Sequence, residues 1–126
     1  MSRIRRFEDL EAWQQARVMV RDVYRVARAG SFARDFQLRG QITDAALSVM
    51  ANIAEGFDRG TDREFIRFLR IAQASASEVR SHLYVALDQQ YLNQESFEIC
   101  SRSVTRSGNV IGGLIRYLRT ARASES

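Results

Sequence analysis

Few side chains in this sequence could do chemistry, and most of those are arginine. His82 is the only histidine and follows Glu78 by four residues, a spacing that sets both on one helix face. Such a pair could hold two positions on a metal, but no third or fourth ligand stands at matching spacing, so a hydrogen-bonded or solvated pair is the simpler reading. Cys100 lies between Phe97 and Val104 at helical spacing with no base nearby, which fits a small core residue rather than a nucleophile. The glycines of "SGNVIGG" (107–113) follow no strand and form no phosphate loop. These residues point to a protein that is not an enzyme and needs no metal or cofactor.

What remains is cationic. All nineteen basic residues are Arg, against fifteen Asp and Glu, for a net charge of +4. Arg is permanently charged and grips phosphate or carboxylate with a planar fork, so its clustering matters more than the net charge. Two rows have helical spacing. Arg17, Arg21, Arg25 and Arg28 flank the apolar face of a first helix, and Arg63, Arg67 and Arg70 oppose the apolar face of a third. Both suit phosphate contacts, and both equally suit carboxylates of a protein partner. A third row, Gln41, Ser48, Asn52 and Glu55, borders an apolar stripe. Half-buried polar groups there must find partners or cost about 1 to 3 kcal/mol each, so a structural polar network between helices 2 and 3 is expected.

The elements that must position these rows are helices. The chain has no proline, 45% hydrophobic and 27% charged residues, and 126 residues, a composition and length suited to one soluble domain spanning 1–126. No apolar run is long enough to cross a membrane, and "MSRIRRFEDLEAW" turns acidic where a signal peptide would be apolar, so the expected location is cytoplasmic. Apolar spacing predicts four helices at about 9–29, 35–57, 61–90 and 93–119. Gly30 ends the first and Gly56 the second, Gly60 frees the turn, and Thr61 with Glu64 forms a capping box. Helix 1 turns Trp13, Ala16, Val20, Val23 and Ala27 inward, leaving Val18, Met19 and Val26 as a second apolar surface for association. In helix 4, Phe97, Cys100, Val104, Ile111, Leu114, Ile115 and Leu118 face inward, with a kink or close packing expected at the glycines. Four amphipathic helices with short turns predict an all-α, antiparallel up-down-up-down bundle.

"FEDLEAWQQA", "LRGQITDAALSVMANIAEGFDRG" and "EFIRFLRIAQASASEVRSHLYVA" resemble, in order and spacing, the four-helix bundle family encoded in intervening sequences of bacterial 23S ribosomal RNA genes. That family is in turn similar to the accessory variability protein of diversity-generating retroelements, a barrel-like homopentamer that binds nucleic acid and associates with a reverse transcriptase. The resemblance implies a binding and assembly role: a homopentamer that binds RNA or DNA, or a scaffold serving a partner enzyme such as a reverse transcriptase. This chain departs from the family pattern at Asp44, where a basic residue is usual, at Met50 for Pro and at Ala74 for Gly. Asp44 weakens a carried-over cationic surface, while the other two changes only straighten helices.

Overall fold

The computed structural model describes residues 4–125, with side chains for residues 4–121. Residues 1–3 and 126 of the expected domain lie outside the described residues. The described chain forms a short 3-10 turn, Phe7–Asp9, and then helices α1 (Glu11–Ala27), α2 (Phe36–Asp58), α3 (Asp62–Asp88) and α4 (Gln94–Glu125). A second 3-10 turn, Phe32–Arg34, lies between α1 and α2. Successive helices pack side by side and α4 closes back on α1, giving the up-down-up-down bundle. Among the described residues no helix is long and apolar enough to cross a membrane.

Local chemistry explains most of the boundaries. Asp35 Oδ1 accepts the Leu38 amide at 3.0 Å, Thr61 Oγ1 the Glu64 amide at 3.2 Å, and Asn93 Oδ1 the Ser96 amide at 2.8 Å. Each side chain satisfies a first-turn N–H that the helix itself leaves open. Only half of the expected capping box forms, because the Glu64 carboxylate turns to Arg67. Gly30 and Gly60 take positive φ of 55° and 89° in the two turns. At the end of α3 the same left-handed position is filled by Gln90, at φ 64°, and the Tyr91 amide reaches back to Ala86 O at 2.9 Å. This is a Schellman ending made without glycine.

Several expectations need correction. Asp9 sits in the 3-10 turn and α1 starts two residues later, whereas α4 runs past Arg119 to Glu125, unbroken through its glycines. Gly56 does not end α2, which continues to Asp58. Its role is close packing: a Cβ there would stand 2.6 Å from Phe68 Cβ and 3.1 Å from Phe65 Cδ1 of α3. The second apolar surface of helix 1 is not formed either. Met19 is fully buried and Val26 packs against the core, leaving only Val18 exposed. The buried face is Ala12, Ala16, Met19, Val23 and Ala27, rotated toward α4 from the expected stripe, so Trp13 and Val20 are only half-buried on the α2 side. The core otherwise runs through Ile42, Val49 and Ile53 of α2, Leu69, Val79 and Leu83 of α3, and Val104, Ile111 and Leu118 of α4.

Candidate nucleic-acid interface

The α1 arginines lie on the surface, three of them along the seam with α2. Rotation of α1 toward α4 leaves Val20 and Tyr24 half-buried against α2, where Leu47 remains exposed. Val20, Tyr24 and Leu47, with the stems of Arg21, Arg25 and Arg28, line an open groove of about 470 Å³ that contains no carboxylate. Arg25 is held by Asp22, with Nη1 to Oδ1 at 3.1 Å. Arg21 and Arg28 make no ion pair among the described residues, so their guanidinium groups are unneutralised. Arg17 lies one turn farther toward the N-terminus, its guanidinium 5.7 Å from the centre of the Trp13 ring. The groove therefore offers an apolar and aromatic floor under a cationic rim.

Arg63, Arg67 and Arg70 belong to a different surface. They project from α3, which lies diagonally across the bundle from α1, so the two rows cannot act as one patch. Arg67 is also committed: Nε and Nη2 donate to Glu64 at 3.0 and 3.2 Å, and the guanidinium sits 4.5 Å from the Phe68 ring centre. The hydrogen bond from Arg67 holds the Glu64 carboxyl below the usual carboxylate range. Arg59 covers the same ring at 4.9 Å while pairing with Glu55 at 2.9 Å. Near the α2–α3 turn, then, Arg59 and Arg67 are both paired and set over the Phe68 ring, whereas Arg63 and Arg70 on α3, like Arg21 and Arg28 in the α1–α2 groove, make no ion pair among the described residues.

The polar row of α2 divides. Ser48 Oγ hydrogen-bonds Ser75 Oγ of α3 at 2.9 Å, and Asn52 Nδ2 donates to Ser48 Oγ at 3.0 Å and to Ser48 O at 2.8 Å. Gln41 and Glu55 stand outside this cluster. Both are exposed, and Glu55 pairs along its own helix with Arg59. Glu55 is turned farthest from the core of the four, and Gln41 lies two turns beyond Ser48 toward the start of α2, so neither reaches Ser75.

Other polar contacts join residues too far apart in sequence for spacing to pair. Asp22 accepts the Ser103 hydroxyl across the α1–α4 contact, and its main-chain oxygen lies 3.7 Å from Cys100 Sγ. Burial pushes the Cys100 thiol up to about 11. Asp35, besides capping α2, accepts the Tyr91 hydroxyl at 2.9 Å, which raises the Tyr91 pKa above its ordinary value. Tyr91 stacks on Phe32, ring centres 5.3 Å apart, so the α1–α2 and α3–α4 connections are tied together. In the Glu78 and His82 pair the carboxylate is exposed to solvent and the imidazole half-buried. Oε2 lies 3.7 Å from Nε2, which is buried without a hydrogen-bond partner. Among the described residues no three His, Cys, Asp or Glu gather where a metal could bind.

Residues 8–113 match the family described as 23S rRNA-intervening sequence protein. The fold is similar to the crystal structure of a protein of unknown function from the S23 ribosomal protein family of Bacteroides thetaiotaomicron VPI-5482. The two share 20% identity and a TM-score of 0.75 over 82% of this chain and 97% of that one, a likeness that bears on fold alone. No curated protein matches the chain.

Proposed function

The chain belongs to the 23S rRNA-intervening sequence protein family, and from that premise we propose that it is a non-enzymatic nucleic-acid-binding protein whose contact surface is the α1–α2 groove. The observation that carries this reading is the pair of unneutralised arginines, Arg21 and Arg28, on the rim of a groove without a carboxylate. Phosphates are the anions such a rim suits, and each one neutralised releases counterions, making affinity fall steeply with salt. The α3 row is secondary here: Arg67 at its centre already serves Glu64 and Phe68, although Arg63 and Arg70 make no ion pair among the described residues.

Electrophoretic shift assays with RNA and DNA at two salt concentrations test the proposal. Replacing Arg21 and Arg28 together with Gln should weaken binding and flatten the salt dependence by about 0.7 to 0.9 in log–log slope per arginine lost. Absence of any shift by the wild-type protein at low salt, or an unchanged slope in the double variant, would refute it.

Self-association belongs to the same reading. Val18 of α1 and Ile99 and Tyr117 of α4 leave exposed apolar surface on two helices that pack together, which supports a homo-oligomer. The number five rests on family resemblance alone. Light scattering coupled to size-exclusion chromatography measures it, and a mass near 14.4 kDa would remove the oligomer.

A further inference from the structure

Resting on the reading of the α1–α2 groove as a nucleic-acid contact, we infer that its ligand is single-stranded, with one base lying on Tyr24 and the flanking phosphates held by Arg21 and Arg28. The groove is not merely cationic. Tyr24 falls between the two free arginines on α1, three residues after Arg21 and four before Arg28, so aromatic face and charge alternate along about 10 Å of helix. Beneath them Val20 is half-buried and Leu47 exposed, an apolar floor with no polar group lining it from α2. A volume of about 470 Å³ admits a base with its sugar.

These features match a nucleotide whose base is unpaired. A phosphate chain alone would satisfy Arg21 and Arg28 but leave Tyr24 and Leu47 against solvent. A duplex keeps its bases stacked and paired, so it can present only its backbone to the rim. In a single strand the base is free to leave its neighbours, and stacking on an aromatic ring beside guanidinium groups is the recurrent way proteins hold it without reading its sequence. Charge complementarity selects the strand over an apolar partner, since the groove is lined by three arginines and no carboxylate.

Fluorescence anisotropy with four probes tests this: a uridine oligomer, a thymidine oligomer, a blunt duplex and an abasic strand of the same length. The wild-type protein should bind both base-bearing single strands about tenfold more tightly than the duplex or the abasic strand. Tyr24→Leu should lose about that factor on the base-bearing strands and leave the abasic strand unchanged, while Tyr24→Phe, which keeps the ring, should retain it. Arg21→Gln should weaken all four probes. As a measurement independent of any variant, ultraviolet irradiation of the wild-type complex should crosslink the uridine oligomer at Tyr24. Equal binding of duplex and single strand, an unaffected Tyr24→Leu protein or a crosslink confined to another element would overturn the inference while leaving nucleic-acid binding in place. Binding of an acidic peptide as tight as that of the oligomers would also overturn it. If no probe binds at low salt, the underlying reading fails as well.

Discussion

Replacing Gly56 with Ala should destabilise the bundle, although the same change at most helical glycines does the opposite. In an isolated helix the substitution favours the helix by about 1 kcal/mol. Here the new methyl carbon would stand 2.6 Å from Phe68 Cβ and 3.3 Å from the Phe65 carbonyl oxygen. Neither is the far end of a flexible side chain, so relief requires α2 and α3 to separate or slide. The Phe68 ring lies under the guanidinium groups of both Arg59 and Arg67 and cannot retreat without disturbing these contacts. Overpacking of this kind costs about 1 to 3 kcal/mol or somewhat more. Gly56 lies in the last turn of α2, where the propensity gain is only a fraction of its value in an isolated helix, so we expect a net loss of about 1 to 2 kcal/mol, or roughly 3 to 10 °C in Tm. The assay is urea denaturation followed by circular dichroism, with Gly108→Ala as the counterpart. No atom lies within 4 Å of a Cβ at Gly108, so that variant should gain up to about 1 kcal/mol. A Gly56→Ala protein as stable as wild type, or more so, would show that the two helices do not depend on this approach.

Gln90→Gly should stabilise the protein by up to about 1 kcal/mol in denaturant titration, because the position has φ 64° and glycine takes it without strain. Ser75→Ala should lose about 1 kcal/mol by removing the partner of Ser48, while Gln41→Ala and Glu55→Ala should change stability by less than about 0.5 kcal/mol. Cys100 gives a pH dependence. Its folded pKa, about 11, lies above the ordinary value of 9.0, so its contribution is fully present below pH 9.0 and is lost as pH rises toward 11. Melting curves across that window should show a loss on the order of 2 kcal/mol that is absent in Cys100→Ala. Alkylation of Cys100 at neutral pH should be slow until denaturant is added, and rapid modification of the folded protein would contradict its burial.

Local rules made the helices legible. Thr61 capping α3 and the glycine turns at 30 and 60 follow from a few residues each, and the apolar period of α4 places nearly the same residues inside as the structure does. Helix 1 shows where periodicity fails. Its apolar residues cover more than one face, and a small rotation exchanges Trp13 and Val20 for Ala12 and Met19, a choice made by the neighbouring helices. Gly56 reads as a terminator because glycine often is one, and only the position of Phe68 shows that it is a contact. In the candidate site, the arginine spacing on α1 was legible, whereas Tyr24 and Leu47 were not, since they meet only when α1 packs on α2. Asp35 with Tyr91 and Asp22 with Ser103 pair across 56 and 81 residues, beyond any local pattern.

The hydrogen bond from Tyr91 to Asp35 bears on how the α1–α2 groove meets a ligand. Arg28 lies at the end of α1, just before the connection that Phe32 and Asp35 fasten to Tyr91. That connection is pinned from the other half of the chain, so the end of α1 that carries Arg28 is fastened through Phe32 and Asp35 to the α3–α4 connection. A ligand of the kind proposed would then spend less of its affinity on ordering that connection. One carboxylate thus serves both as the first hydrogen-bond acceptor of α2 and as the tie between the two connections at this end of the bundle.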